Sequence, residues 1–182
     1  MSESESKGTA GEQAAAKARE LQAAIKKLDF RDRVIFLGSA ALVILFFLPW
    51  WRVTVNIFGA TQSRSASGLA GAGWVGFLAA CAGTVAGLAN MGFVPLTGEL
   101  RMYARKTAVQ LGLAAAALLM GPVYFMSSVE DVGADPLGMA QAGKTLFFWL
   151  ALLCALGAAG AAGWKLADER KAAGGGAPPP AA

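Results

Sequence analysis

Apolar residues along this chain collect into four long blocks, at 30–51, 69–94, 107–126 and 145–164, separated by short polar stretches. Within the blocks the only charged side chains are Arg31, Asp32 and Arg33, all at the mouth of the first. Each block reaches the ~20 residues needed to cross ~30 Å of hydrocarbon as a helix. A helix of a soluble domain shows a polar face to water, and four consecutive blocks without one predict a different solvent. The pattern therefore predicts an all-α integral membrane fold, a four-transmembrane-helix bundle over residues 30–168. The first block is the most apolar: each residue of the run Leu42-Val43-Ile44-Leu45-Phe46-Phe47-Leu48 favours insertion by roughly 0.3–0.6 kcal/mol. Pro49, which cannot continue a helix, closes it.

The connecting stretches carry their own periods. Residues 1–12, rich in Ser, Glu and Gly, read as a disordered N-terminus. Residues 13–29 read as a cytoplasmic amphipathic helix, because Ala14, Ala18, Leu21, Ile25 and Leu28 recur in alternating steps of four and three, the seam of a short coiled coil. Two heptads are marginal alone, so this seam is the predicted partner-docking surface. After the first span the period changes to two, with Val53, Val55 and Ile57 alternating with Thr54 and Asn56. Gly59-Ala60 and the polar run Thr61-Gln62-Ser63-Arg64-Ser65 follow, and the segment Arg52–Gly68 predicts a small external β-hairpin. Gly121-Pro122 predicts a kink in the third span. The Gly/Pro-rich residues 169–182 read as a flexible C-terminal tail.

Composition and charge then fix the orientation. Apolar residues make up 55% of the chain and charged ones 15%, against roughly 25% charged in an average soluble protein. With four spans and an inside N-terminus, Lys7, Lys17, Arg19, Lys26, Lys27, Arg31, Arg33, Arg101, Arg105, Lys106, Lys165, Arg170 and Lys171 all fall inside. Arg52, Arg64 and Lys144 fall outside with the acidic residues Glu130, Asp131 and Asp135. That is a positive-inside distribution, and it predicts a multi-pass plasma-membrane protein with both termini cytoplasmic. The net charge of +4 is then topological, and no nucleic-acid partner is expected. Trp50, Trp51 and Trp74 are placed as interfacial anchors on the outer side and Trp164 on the inner, where amphipathic rings sit at headgroup depth. The polar N-terminus predicts an uncleaved first span rather than a signal peptide. Ala/Gly/Pro richness points to a bacterial cytoplasmic membrane.

Candidate chemistry changes the picture mainly by subtraction. The chain has no His, the commonest general base and metal ligand, and no phosphate-cradling or nucleophile-elbow motif. No catalytic residue, cofactor or metal site is expected, and Cys81 and Cys154 read as small packing residues. Transporters keep ionisable groups inside the membrane, whereas the interior candidates here are neutral: Ser39, Thr84, Asn90 and Gln110, the last read as an interhelical hydrogen-bonding group. Small residues give the strongest interior signal. Gly76, Ala80, Gly83 and Gly87 line one stripe of the second span, and Gly157 and Gly160 mark the fourth, as expected of helix-packing faces in lipid.

The order of an apolar span ending Leu48-Pro49-Trp50-Trp51, an external Ser/Gly-rich hairpin and a second span opening on Gly73-Trp74 is similar to that of four-helix bacterial membrane proteins. In outline it resembles the claudin tetraspan proteins, without the paired extracellular cysteines of that family. The resemblance implies topology only. The expected function is a non-enzymatic membrane scaffold or accessory subunit, in contact with lipid and with other membrane-protein subunits or copies of itself. The alternative is a small channel or transporter formed by oligomerisation.

Overall fold

A computed structural model describes residues 3–57, 60–128 and 140–174. The chain is mostly helical with a small three-stranded sheet. Helix α1 (Glu3–Lys27) leads into α2 (Phe30–Leu45), strands β1 (Pro49–Ile57) and β2 (Ala60–Ser67), and helices α3 (Gly73–Asn90), α4 (Gly98–Arg105) and α5 (Thr107–Leu118). A π-helical turn, Leu119–Val123, joins α5 to α6 (Tyr124–Ser128); β3 (Ala140–Lys144) and α7 (Leu146–Gly174) complete the chain.

Among the described residues, three helices are long and apolar enough to cross a membrane: α3, the continuous α5–π–α6 segment Thr107–Ser128, and α7 up to Ala173. The first expected span departs from its reading. Its helix stops at Leu45 after 16 residues, a length of roughly 24 Å at 1.5 Å per residue. Pro49 disfavours helical backbone at the residue before it, and β1 begins at Pro49, so Trp50 and Trp51 become strand residues rather than the end of a helix.

Trp50 of β1 packs on Phe125 of α6 and Phe148 at the start of α7. Asp32 of α2, by contrast, meets Lys165 of α7 and Asn90 of α3 reaches Ala104 of α4, so the sheet sits at one end of the helices and the α1–α2 corner, α4 and the end of α7 at the other. β1 is the central strand, in the order β2-β1-β3, both pairings antiparallel. The hairpin expected from the period-two run is present, with Val53 opposite Arg64 and Val55 opposite Gln62. A third strand, which the period-two pattern does not predict, joins the other edge of β1: Trp51 pairs with Lys144 and Val55 with Ala140. Gly71, at φ +59°, turns the chain from β2 into α3.

At the opposite end, α3 closes in a Schellman motif. Gly92 takes φ +86°, its N–H reaches Ala89 O, and the N–H of Phe93 reaches Leu88 O, which satisfies carbonyls a helix end leaves open. The segments read as disordered or flexible also depart from expectation. α1 begins at Glu3 rather than Gln13 and α7 continues to Gly174. No Pro falls within residues 3–12 or 169–174 to interrupt either helix. Glu130, Asp131 and Asp135 lie outside the described residues, as do residues 175–182.

The core is aromatic near the sheet and alanine-lined along the helices. Phe46, Trp50, Phe125 and Phe148 interlock there, with Trp50 ring centroids 4.9 Å from Phe46, 5.5 Å from Phe125 and 5.9 Å from Phe148. Gly121 makes room for Phe46; a Cβ on it would lie 2.7 Å from Phe46 Cζ. Pro122 is buried within the π turn, where the altered hydrogen-bond register tolerates its missing N–H.

Candidate functional site

The helix ends opposite the sheet enclose a cavity of about 260 Å³. Its walls come from α2 (Asp32, Ile35, Phe36, Ser39), α3 (Gly83, Gly87, Asn90), Arg105 of α4, Gln110 of α5 and Lys165 of α7, with Leu28 at the α1–α2 corner. The corner is held by one side chain. Arg33 donates from Nε to Ile25 O at 3.2 Å and from Nη2 to Lys26 O at 2.9 Å and Leu28 O at 3.3 Å, a cation placed on the carbonyl end of α1 as its dipole favours.

Two ion pairs tie α2 to α7 at this end. Lys165 Nζ donates to Asp32 Oδ1 at 2.6 Å, and Arg31 Nη1 lies 2.7 Å from Asp168 Oδ2. Arg31 also stacks its guanidinium 4.5 Å over the Trp164 ring. Thr107 Oγ1 donates to Glu169 Oε1 at 2.5 Å, tying α5 to the same helix.

The cavity's polar lining is only partly satisfied. Gln110 is 8% exposed and its Nε2 donates to Ala104 O at 3.2 Å. Asn90 Nδ2 donates to the same carbonyl at 3.4 Å. One acceptor therefore fixes both amide nitrogens, and the two amide oxygens, Asn90 Oδ1 and Gln110 Oε1, are buried without a hydrogen-bond partner among the described residues. A buried acceptor left open costs about 1–3 kcal/mol. Ser39, also buried, adds a hydroxyl to the wall. Arg105 is exposed and has no ion-pair partner among the described residues. Thr84 is outside the cavity, its hydroxyl donating back to Ala80 O at 2.9 Å.

The small-residue stripe of α3 lies at helix contacts. Gly76 and Ala80 are buried, and a Cβ on Gly76 would lie 2.8 Å from Gly121 N. A Cβ on Gly83 would lie 3.0 Å from Ser39 Oγ, and one on Gly87 2.5 Å from Phe36 Cδ2. On α7 the buried row is Ala151, Ala155, Ala158 and Ala162, while Gly157 and Gly160 are exposed. Both faces carry small residues, so spacing alone could not tell which one meets α2. Gly38 marks the contact: a Cβ there would sit 3.0 Å from Cys154 O and 3.1 Å from Ala158 Cβ.

The tryptophans divide. Trp74 and Trp164 are 55% and 58% exposed, but Trp50 is wholly buried and Trp51 half-buried. Trp50 is thus a core residue rather than an interfacial anchor; its Nε1 finds Leu45 O at 2.7 Å, so the indole enters the interior without an open donor.

The α1 seam is split in the same way. Leu21, Ile25 and Leu28 are half-buried toward the bundle, whereas Ala14 and Ala18 are exposed, as is every residue from Gly11 to Glu20. Leu21 and Ala18 face Leu88 and Phe93 of the Schellman corner across an open groove. Comparison with protein-family models, with curated proteins and with solved structures returned no match.

Proposed function

We propose that this chain is a non-enzymatic integral membrane scaffold or accessory subunit, anchored by four spans and engaging a partner subunit or a second copy through α1. The observation that carries this reading is α1 itself. It is a 25-residue helix whose residues 11–20 are all exposed in the chain alone. Most helical stability in proteins comes from packing of an apolar face, so a packed neighbour would supply stability that the bundle does not. The α3 stripe, by contrast, is spent on internal contacts.

The membrane reading rests on the three long apolar helices and on the charge distribution. α2 serves as the fourth span by packing against both α3 and α7, with residues 46–48 adding reach and local bilayer thinning taking up the difference. The basic residues of α1, α4 and the end of α7 then share one side, the cytoplasmic one, in a plasma membrane, bacterial on compositional grounds. The cavity is the feature that favours the channel or transporter reading. The aromatic cluster of Phe46, Trp50, Phe125 and Phe148 fills the other end of the bundle, which favours a closed site over a path through one copy.

Ala14→Asp with Ala18→Asp tests the docking reading, since both positions are exposed in the chain alone. The double variant should melt like the parent in detergent while losing its co-purifying subunit, or its higher native mass, in the same detergent. An unchanged composition and mass would remove α1 as the interaction element.

A further inference from the structure

We propose that the cavity opposite the sheet is a binding site for a small polyol bearing one anionic phosphate, the chemistry of a glycerol-phosphate headgroup. Three features of its wall select that class. Asn90 Oδ1 and Gln110 Oε1 are buried acceptors with no donor among the described residues, and their orientation is fixed because both amide nitrogens already serve Ala104 O. The occupant must therefore bring at least two donors. Lys165 is neutralised by Asp32 at 2.6 Å, whereas Arg105 lines the same cavity with no ion-pair partner among the described residues. The ionisable wall thus sums to one positive charge, which disfavours an ammonium donor and favours neutral hydroxyls next to an anion. Guanidinium groups match phosphate oxygens in a two-pronged geometry.

The space fits this class. About 260 Å³ is room for on the order of eight waters at their liquid volume, the size of a small headgroup. Gly83 and Gly87 keep the α3 wall free of side chains, and Phe36, Ile35 and Leu28 supply an apolar side against which carbon atoms can rest. The same chemistry comes from two sources, an anionic lipid such as phosphatidylglycerol or a soluble glycerol phosphate.

The test uses the full chain in nanodiscs of mixed phosphatidylglycerol and phosphatidylcholine, released into the gas phase for native mass spectrometry. Phosphatidylglycerol should be retained preferentially. Arg105→Gln, an exposed position, and Gln110→Leu should each lower its retention about tenfold, as expected for a lost charge-assisted or buried hydrogen bond. Thermal melting in phosphatidylcholine alone separates binding from folding. Gln110→Leu removes an orphaned acceptor and should melt no lower than the parent there, while losing the stabilisation that phosphatidylglycerol gives the parent.

Added glycerol 3-phosphate distinguishes the sources. If it stabilises the parent in phosphatidylcholine and displaces retained lipid, and both variants abolish this, the site takes the soluble ester. Equal retention of the two lipids without a glycerol 3-phosphate effect, or responses unchanged by both substitutions, would overturn the proposal and leave a water-filled cavity. The lipid arm rests on the membrane reading, which external labelling decides separately.

Discussion

Trp50→Ala should lower stability by about 3–5 kcal/mol, the range for truncating a large buried aromatic residue. Trp50 is wholly enclosed, its ring touches Phe46, Phe125 and Phe148, and its main-chain oxygen accepts the N–H of Thr145 at 2.8 Å. It joins α2, the sheet, α6 and α7 in one cluster. Trp74→Ala is the comparison, because Trp74 is 55% exposed and its loss should cost under about 0.5 kcal/mol in detergent. Unfolding of both variants in graded denaturing detergent measures the difference. Equal losses would mean that Trp50 is an interfacial ring like Trp74, and that the aromatic cluster does not hold the sheet end together.

A second large effect is expected at Gly76. A side chain there meets the backbone of Gly121, which cannot swing aside as a flexible side chain can. Gly76→Leu must push α3 off the π turn, at a cost of about 1–3 kcal/mol for overpacking. Gly87→Leu meets the Phe36 ring, which can rotate, so its loss should be smaller. Gly160→Leu meets nothing within 4 Å and should melt within about 0.5 kcal/mol of the parent. Matching melting profiles for Gly76→Leu and Gly160→Leu would contradict the packing described for α3.

These contrasts show where local sequence reading succeeds. The apolar blocks that became α3, α5–α6 and α7 were legible because hydropathy over some 20 residues needs no knowledge of neighbours. The hairpin was legible from the two-residue alternation of Val53, Val55 and Ile57. β3 was not, since Ala140-Gln141-Ala142-Gly143-Lys144 has little strand propensity and is recruited by the open edge of β1. The early end of α2 follows from Pro49 together with the demand of β1 for Trp50 and Trp51, and only the second of these is a tertiary effect.

The site shows the same division. Ser39, Asn90 and Gln110 stand out singly as neutral polar residues in apolar blocks, and Gln110 does make the expected kind of hydrogen bond, to α4. Their convergence on one cavity with Arg105 depends on the antiparallel packing of α2, α3 and α5. The open acceptors on Asn90 and Gln110 arise because two amides compete for one carbonyl, which no spacing in the sequence encodes. Trp50 illustrates the converse error: a Trp-Trp pair after a hydrophobic run looks interfacial until the cluster that encloses it is assembled.

The proposed arrangement of four spans with both ends of the chain on one side is tested most directly by labelling single introduced cysteines in intact cells, in a Cys81→Ala, Cys154→Ala background. A membrane-impermeant maleimide should label a cysteine at Ser63, on the sheet, and should leave cysteines at Ala15 and Ala173 unlabelled until the membrane is opened. External labelling at Ala173 but not at Ala15 would mean an odd number of crossings, with α2 lying outside the bilayer, and would contradict the account.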